Sequence, residues 1–390
     1  MAAMRSVKVN PARVDAVRAR AFEAIDDGQI PSCQFALALD GEVIVNETLG
    51  DAPADARYLM MSSTKPVFAS VVLQLIGGGR LDPALPVVTW WPEFGAHGKE
   101  AITLEQVMTF TCGLPSRTVE HGSDRAARQT QIEAWTLEYE PGTQFRYHGL
   151  SAHWILAELV ARVTGQDHRQ ALRERILDPL GLDRLEVGMP ADRQHDVQRI
   201  VARGELPSTE EFRAALKEWL GIDLPEGFAL PSAGGATSLP ANQADDLFGY
   251  LQSPAGMEAG VPGGGDVSDA ASVALFYQAL LSNQKDLWDS MVLEDAKTNI
   301  RNMLPDEFGR PAARSIGFEI AIDDPSQTRT GSRGRPGMFG HPGAMGQLAW
   351  ADPATGLSFA FLTNGADRNF VRQYSRDFAL QPLAAASVDD

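Results

Sequence analysis

Apolar residues at Val67, Phe68, Val71, Val72, Leu75 and Ile76 fall at i, i+1, i+4 and i+5, the spacing of one helical face, and the run stops at Gly77-Gly78-Gly79. A second such run carries Ile155, Leu156, Leu159, Val160 and Val163 and closes at Thr164-Gly165. Asn10-Pro11 reads as the N-cap and first position of an earlier helix, with Val14, Val17, Phe22 and Ile25 on one side. Between the helical runs lie strand patterns. Residues 34–39 and 42–47 flank Asp40-Gly41 as a hairpin, and 316–322, 347–351 and 357–363 form a late group. The last two flank the turn Asp352-Pro353-Ala354-Thr355-Gly356, and only Ser358 interrupts the second apolar stretch, which predicts a mostly buried hairpin.

Together the early hairpin and the late strands predict one antiparallel sheet, flanked by the first helix and by a last one over 367–383. The fold class is therefore α/β (α+β). No linker divides the chain, so residues 1–390 read as a single catalytic unit. Within it, 12–80 plus 300–385 form the α/β region, and 81–299 a mainly helical lobe with a cleft between the two. Residues 186–262, rich in Pro and Gly, read as a variable pocket wall or lid.

Charge and cysteine usage narrow the function. A net charge of −17 and a pI near 4.9 argue against nucleic acid and anionic membrane as partners. No apolar run approaches membrane-spanning length. Cys33 and Cys112 make no disulfide framework and are expected free and buried. His97, His121, His148, His153, His168 and His195 show no paired ligand spacing, so neither a metal nor a cofactor is expected.

The chemistry sits at the start of the first long apolar run. In Ser62-Ser63-Thr64-Lys65 the serine stands at a helix N-terminus and the lysine about one turn on. That pairing suits a nucleophile beside its base, with backbone N–H groups facing an oxygen that turns negative. Ser282-Asn283-Gln284-Lys285 has the same spacing, but it ends the apolar run 273–281, where the helix dipole has the wrong sign for an oxyanion. Two further segments answer to the first copy. Tyr147 lies in Pro141-Gly142-Thr143-Gln144-Phe145-Arg146-Tyr147-His148-Gly149, on the turn before a helix. His341 opens His341-Pro342-Gly343-Ala344, where glycines at 343 and 346 let backbone approach a substrate. A serine hydroxyl needs a base, yet lysine and tyrosine ordinarily titrate near 10. Bringing one to about pH 7 takes roughly 4 kcal/mol, and the two would titrate as a coupled pair.

In this order and spacing the three segments resemble the serine hydrolases of the class C β-lactamase and penicillin-binding-protein superfamily, with the family VIII carboxylesterases nearest in likeness. Supporting stretches are Gly79-Arg80-Leu81-Asp82, Thr111-Cys112-Gly113-Leu114-Pro115, Gly263-Gly264-Gly265 and Leu362-Thr363-Asn364-Gly365. The resemblance implies a β-lactamase-like fold. It makes Ser62 the nucleophile, Lys65 its activator and Tyr147 a proton relay. It also implies an oxyanion held by the N–H groups of Ser62 and Ala344, with His341 and Gly343 lining the same strand.

Two departures point away from β-lactams. Gly149 stands where β-lactamases have the asparagine that holds a substrate amide. His341 stands where they have a lysine suited to a carboxylate. The expected function is hydrolysis of a small-molecule carboxylic ester, or acyl transfer by the same chemistry. The alternatives are amide hydrolysis of β-lactams or D-amino-acid peptides, and a non-catalytic binding protein on the same fold. Cell-wall enzymes of this superfamily need export, and Met1 to Val9 lacks the apolar core of a signal peptide, so a cytoplasmic esterase is expected.

Overall fold

The computed structural model describes residues 8–221, 223, 241–307, 309–323 and 335–388. Ten strands lie among them: β1 (Ser32–Leu39), β2 (Glu42–Gly50), β3 (Tyr58–Leu59), β4 (Val201–Arg203), β5 (Val267–Ser268), β6 (Glu319–Ile320), β7 (Phe339–Gly340), β8 (Leu348–Ala351), β9 (Ser358–Thr363) and β10 (Gly365–Asp367). The main sheet has the order β2-β1-β9-β8-β7-β6, antiparallel throughout, so the early hairpin joins the late strands as the sequence predicts.

Register explains why β1 is buried along its whole length. Successive side chains of a strand point to opposite faces. Phe35 and Leu37 enter a core with Val14, Val17, Phe359, Phe361 and Leu380, under the helices Pro11–Asp26 and Phe370–Ala385. Ala36 and Ala38 face the other way, into a larger core with Phe68, Phe276 and Leu362. Alanines on that face let the helix Ala270–Ser282 lie close to β1 and β9.

Three sequence expectations are corrected. In the first helix the buried face is Val14, Val17, Ala21 and Ala24, whereas Phe22 is 57% exposed. The strand predicted over 316–322 shrinks to Glu319–Ile320, because Gly317 at φ +115° turns the chain and Ser315 accepts no strand partner but donates its N–H to Phe318 O at 3.0 Å. Phe339–Gly340, for which no strand is predicted, is a strand pairing with both neighbours.

Two short ladders lie outside the main sheet, and the first of them helps to position the site. β3 pairs with β5, tying the residues just before Ser62 to those just after Gly263–Gly265. β4 runs parallel to β10. Cys33 and Cys112 are free and buried, as expected. Among the described residues no helix is long and apolar enough to cross a membrane.

Candidate active site

Ser62 lies in the 3₁₀ turn Met61–Ser63, which runs directly into the helix Thr64–Gly77. Met61 sits at φ +49°, a conformation L-residues adopt only where the surroundings hold it. The hold comes from the β3–β5 side, where Met60 N–H donates to Asp266 O at 2.9 Å and Asp266 N–H donates to Thr64 Oγ1 at 3.3 Å. The helix that follows is buried almost all round, and Lys65 within it is 1% exposed. Lys65 Nζ donates to Gly263 O at 2.7 Å, Gly149 O at 2.8 Å and Ser62 Oγ at 3.1 Å. Two carbonyls from distant segments thus fix the amine and leave a tetrahedral position facing the serine.

The second segment brings Tyr147 beside this amine, with Lys65 Nζ 5.2 Å from the ring centroid. The phenol ring is flanked by Phe110, edge-on at 5.4 Å, and by His341 at 5.8 Å. Its loop is anchored by the neighbouring histidine. His148 Nδ1 donates to Arg146 O at 2.6 Å, and Nε2 accepts the Leu114 N–H at 3.1 Å, an arrangement that assigns the neutral tautomer. The stretch 111–115 is therefore scaffold for the tyrosine loop. Gly149 has no atom within 4 Å of where a Cβ would stand, so the space an asparagine would occupy is open.

The third segment leaves β7 at His341, whose N–H donates to Ala349 O at 3.1 Å and whose carbonyl accepts from Ser63 Oγ at 3.0 Å. The turn Ala344–Gly346 follows, with Met345 at φ +67° and Gly346 at φ +89°. Packing within the protein by itself already requires glycine at both positions. A Cβ on Gly343 would overlap Met60 O, and one on Gly346 would overlap the Arg376 guanidinium. A cavity of about 350 Å³ is lined by Leu150, Trp154, Tyr250 and Val261 together with the charged Arg125, Arg128 and Asp167. Of the predicted wall 186–262, residues 222 and 224–240 lie outside the described residues.

Sequence reasoning missed Phe110 and His153. Phe110, at φ +62°, packs against Tyr147, His148 and His153, with the Arg314 guanidinium 4.2 Å from its ring centroid. No short motif marks such a residue. His153 backs the Gly263 loop so closely that a Cβ there would lie 2.6 Å from its ring. The second serine–lysine pair is structural, as expected: Ser282 Oγ donates to Gln278 O at 3.0 Å, and Lys285 is bonded to Pro179 O. Trp91 is packing, fully buried with its N–H on Glu133 at 2.9 Å.

Burial holds three histidines neutral. Desolvation pushes His148 down to about 3 and His168 down to about 4, and it takes His153 well below its ordinary range, with the Lys65 charge adding to that. Unfolded histidine binds a proton below about 6.5, so in acid the unfolded state holds more protons and stability falls. The contribution is whole above about pH 6.5 and erodes toward about 4 for His168, in total about 3 kcal/mol. Asp266 and Asp377, raised by burial, act in the opposite sense, so the test is a difference. His168→Gln should flatten the fall in the urea midpoint between pH 6.5 and 4 by close to one proton. Parallel curves for variant and parent would contradict this.

Residues 17–384 match the family described as Beta-lactamase. The Esterase/beta-lactamase LipL of Mycobacterium tuberculosis is 28% identical over 88% of this chain and 80% of its own length. Esterase EstB of Burkholderia gladioli is 25% identical over 91% and 90%. The crystal structure of a family VIII carboxylesterase superposes with a TM-score of 0.71 at 22% identity, covering 98% of this chain and all of the other. A match spanning nearly the whole chain, on a fold that brings Ser62, Lys65, Tyr147 and His341 together, places this protein in the beta-lactamase family.

Proposed function

We propose that the protein is a serine carboxylesterase that works through an acyl-enzyme on Ser62. The observation that carries this reading is the Lys65 amine, held by Gly149 O and Gly263 O with Ser62 Oγ at 3.1 Å. Two N–H bonds to carbonyls persist whether the remaining position holds a proton or a lone pair. A proton can therefore pass from Ser62 to Lys65 without disturbing the amine's other bonds. Tyr147, beside the amine, completes the relay to the leaving alcohol. The oxyanion would rest on the N–H groups of Ser62 and Ala344. Water, or an alcohol acting as acyl acceptor, then releases the acyl group by the reverse proton path.

The ester preference rests on what is missing around this centre. Gly149 leaves open space where an amide-holding side chain would reach. His341 is buried, and its Nδ1 is engaged by Pro342 O at 2.6 Å, whereas a lysine would extend an ammonium toward a substrate carboxylate. Relatives named as esterases across about nine-tenths of the chain support the same reading.

The test is a panel of p-nitrophenyl esters beside a chromogenic cephalosporin. Each lost contact to a charged or amide group is worth roughly 1.5–3 kcal/mol, so the best ester should lead by at least about two orders of magnitude in kcat/KM. Gly149→Asn with His341→Lys should narrow that ratio, since the asparagine enters open space. Equal kcat/KM for the cephalosporin and the best ester would sink the assignment.

A further inference from the structure

We propose that Arg376 is a positioning residue for the oxyanion turn: packed beneath Gly346, it holds the turn Ala344–Gly346 in the shape that presents the Ala344 N–H. The inference rests on the esterase reading above.

The turn places two successive residues, Met345 and Gly346, at positive φ. Glycine adopts such φ freely, but a methionine keeps it only where its surroundings hold it. Its two ends are clamped. Gly343 N–H donates to Gln347 O at 2.7 Å, and the Gln347 amide is bonded to both backbone groups of Thr363 on β9 at 2.8 and 2.9 Å. The apex is held from below by the helix Phe370–Ala385. Arg376 on that helix is fully buried, and its guanidinium occupies the volume that a side chain at 346 would need. Asp377 completes the support: its Oδ1 accepts from Arg376 Nε at 2.9 Å and would lie 3.1 Å from a Cβ on Gly346.

A buried arginine is an expensive way to fill space, because a guanidinium loses its water and needs hydrogen bonds in return. Arg376 takes an incomplete set. Nη2 lies 2.9 Å from Asp377 Oδ1, yet among the described residues neither Nη makes a hydrogen bond of good geometry. A methionine or leucine would fill a core more cheaply, but neither offers a rigid, planar surface paired to an adjacent carboxylate. That flat, fixed group lies against the Gly346 Cα. A slack apex would let the peptide planes of 344–346 rotate, and an oxyanion donor misdirected by a fraction of an ångström loses most of its effect.

The experiment compares Arg376→Lys and the neutral pair Arg376→Met/Asp377→Asn with the parent. The readouts are kcat and KM on p-nitrophenyl acetate, the affinity of a boronic acid whose tetrahedral Ser62 adduct uses the same N–H groups, and Tm. The expected result is a fall in kcat of about 10- to 100-fold with KM nearly unchanged, and boronate affinity weakened by the same factor. Arg376→Lys, which keeps the charge paired with Asp377, should recover part of both and carries the test if the double variant does not fold. A role confined to stability would lower Tm and leave both readouts alone. Any folded variant with kcat and boronate affinity within about twofold of the parent overturns the proposal. Failure of the esterase reading looks different, because the parent itself would then turn over no ester.

Discussion

Ser62→Ala is expected to remove ester turnover almost completely, by about four orders of magnitude or more, while the protein stays folded. Loss of a covalent nucleophile leaves only binding and oxyanion stabilisation, which cannot substitute for the missing bond. The structural cost is small for a specific reason. Ser62 caps no helix: neither the 3₁₀ turn nor the following helix receives a side-chain cap bond at its start. Its hydroxyl accepts from Lys65, which keeps both carbonyl partners without it. Tm should therefore shift by only a few degrees. Ser282→Ala, at the wrong end of its helix, should leave the rate unchanged. A fluorophosphonate adduct mapped by mass spectrometry should fall on Ser62. Substantial turnover in Ser62→Ala would dismantle the proposed site.

Tyr147→Phe should lower kcat by about two to four orders of magnitude, the range that general acid–base catalysis supplies. Phenylalanine keeps the ring between Phe110 and His341, so the loop keeps its packing and its His148 anchor. Only the hydroxyl is removed. Lys65→Met should be at least as damaging, and it adds a structural penalty, because the buried carbonyl of Gly263 and the part-buried one of Gly149 lose this donor. Leaving such groups unpaired costs about 1–3 kcal/mol. The two variants should thus separate: both slow, but only the lysine variant markedly less stable in urea. Near-normal turnover in Tyr147→Phe would make the phenol structural and leave Lys65 to work alone.

What the sequence determined by itself was whatever is local in spacing. The Ser62–Lys65 pair lies one helical turn apart, and Gly165 ends its helix in the left-handed conformation that closing glycines adopt. Asn10 caps and Pro11 begins the first helix, and strand alternation in β1 sends Phe35 and Ala36 to opposite cores. Each follows from a period or a cap within a few residues, and each could be read without knowing what packs nearby. The departures at Gly149 and His341 were legible for the same reason.

Tertiary structure alone decided what holds the lysine. Gly149 O is 84 residues from Lys65 and Gly263 O is 198, and a backbone carbonyl carries no residue signature. It also decided the use of the glycines at 343 and 346. Sequence shows only that a side chain is absent there. Whether the gap admits a substrate, the Met60 carbonyl or the Arg376 guanidinium depends on which element the fold lays against it. Phe22 and the 316–322 strand went astray likewise, because an apolar residue states a preference for burial, and only the packed neighbours determine whether room exists for it.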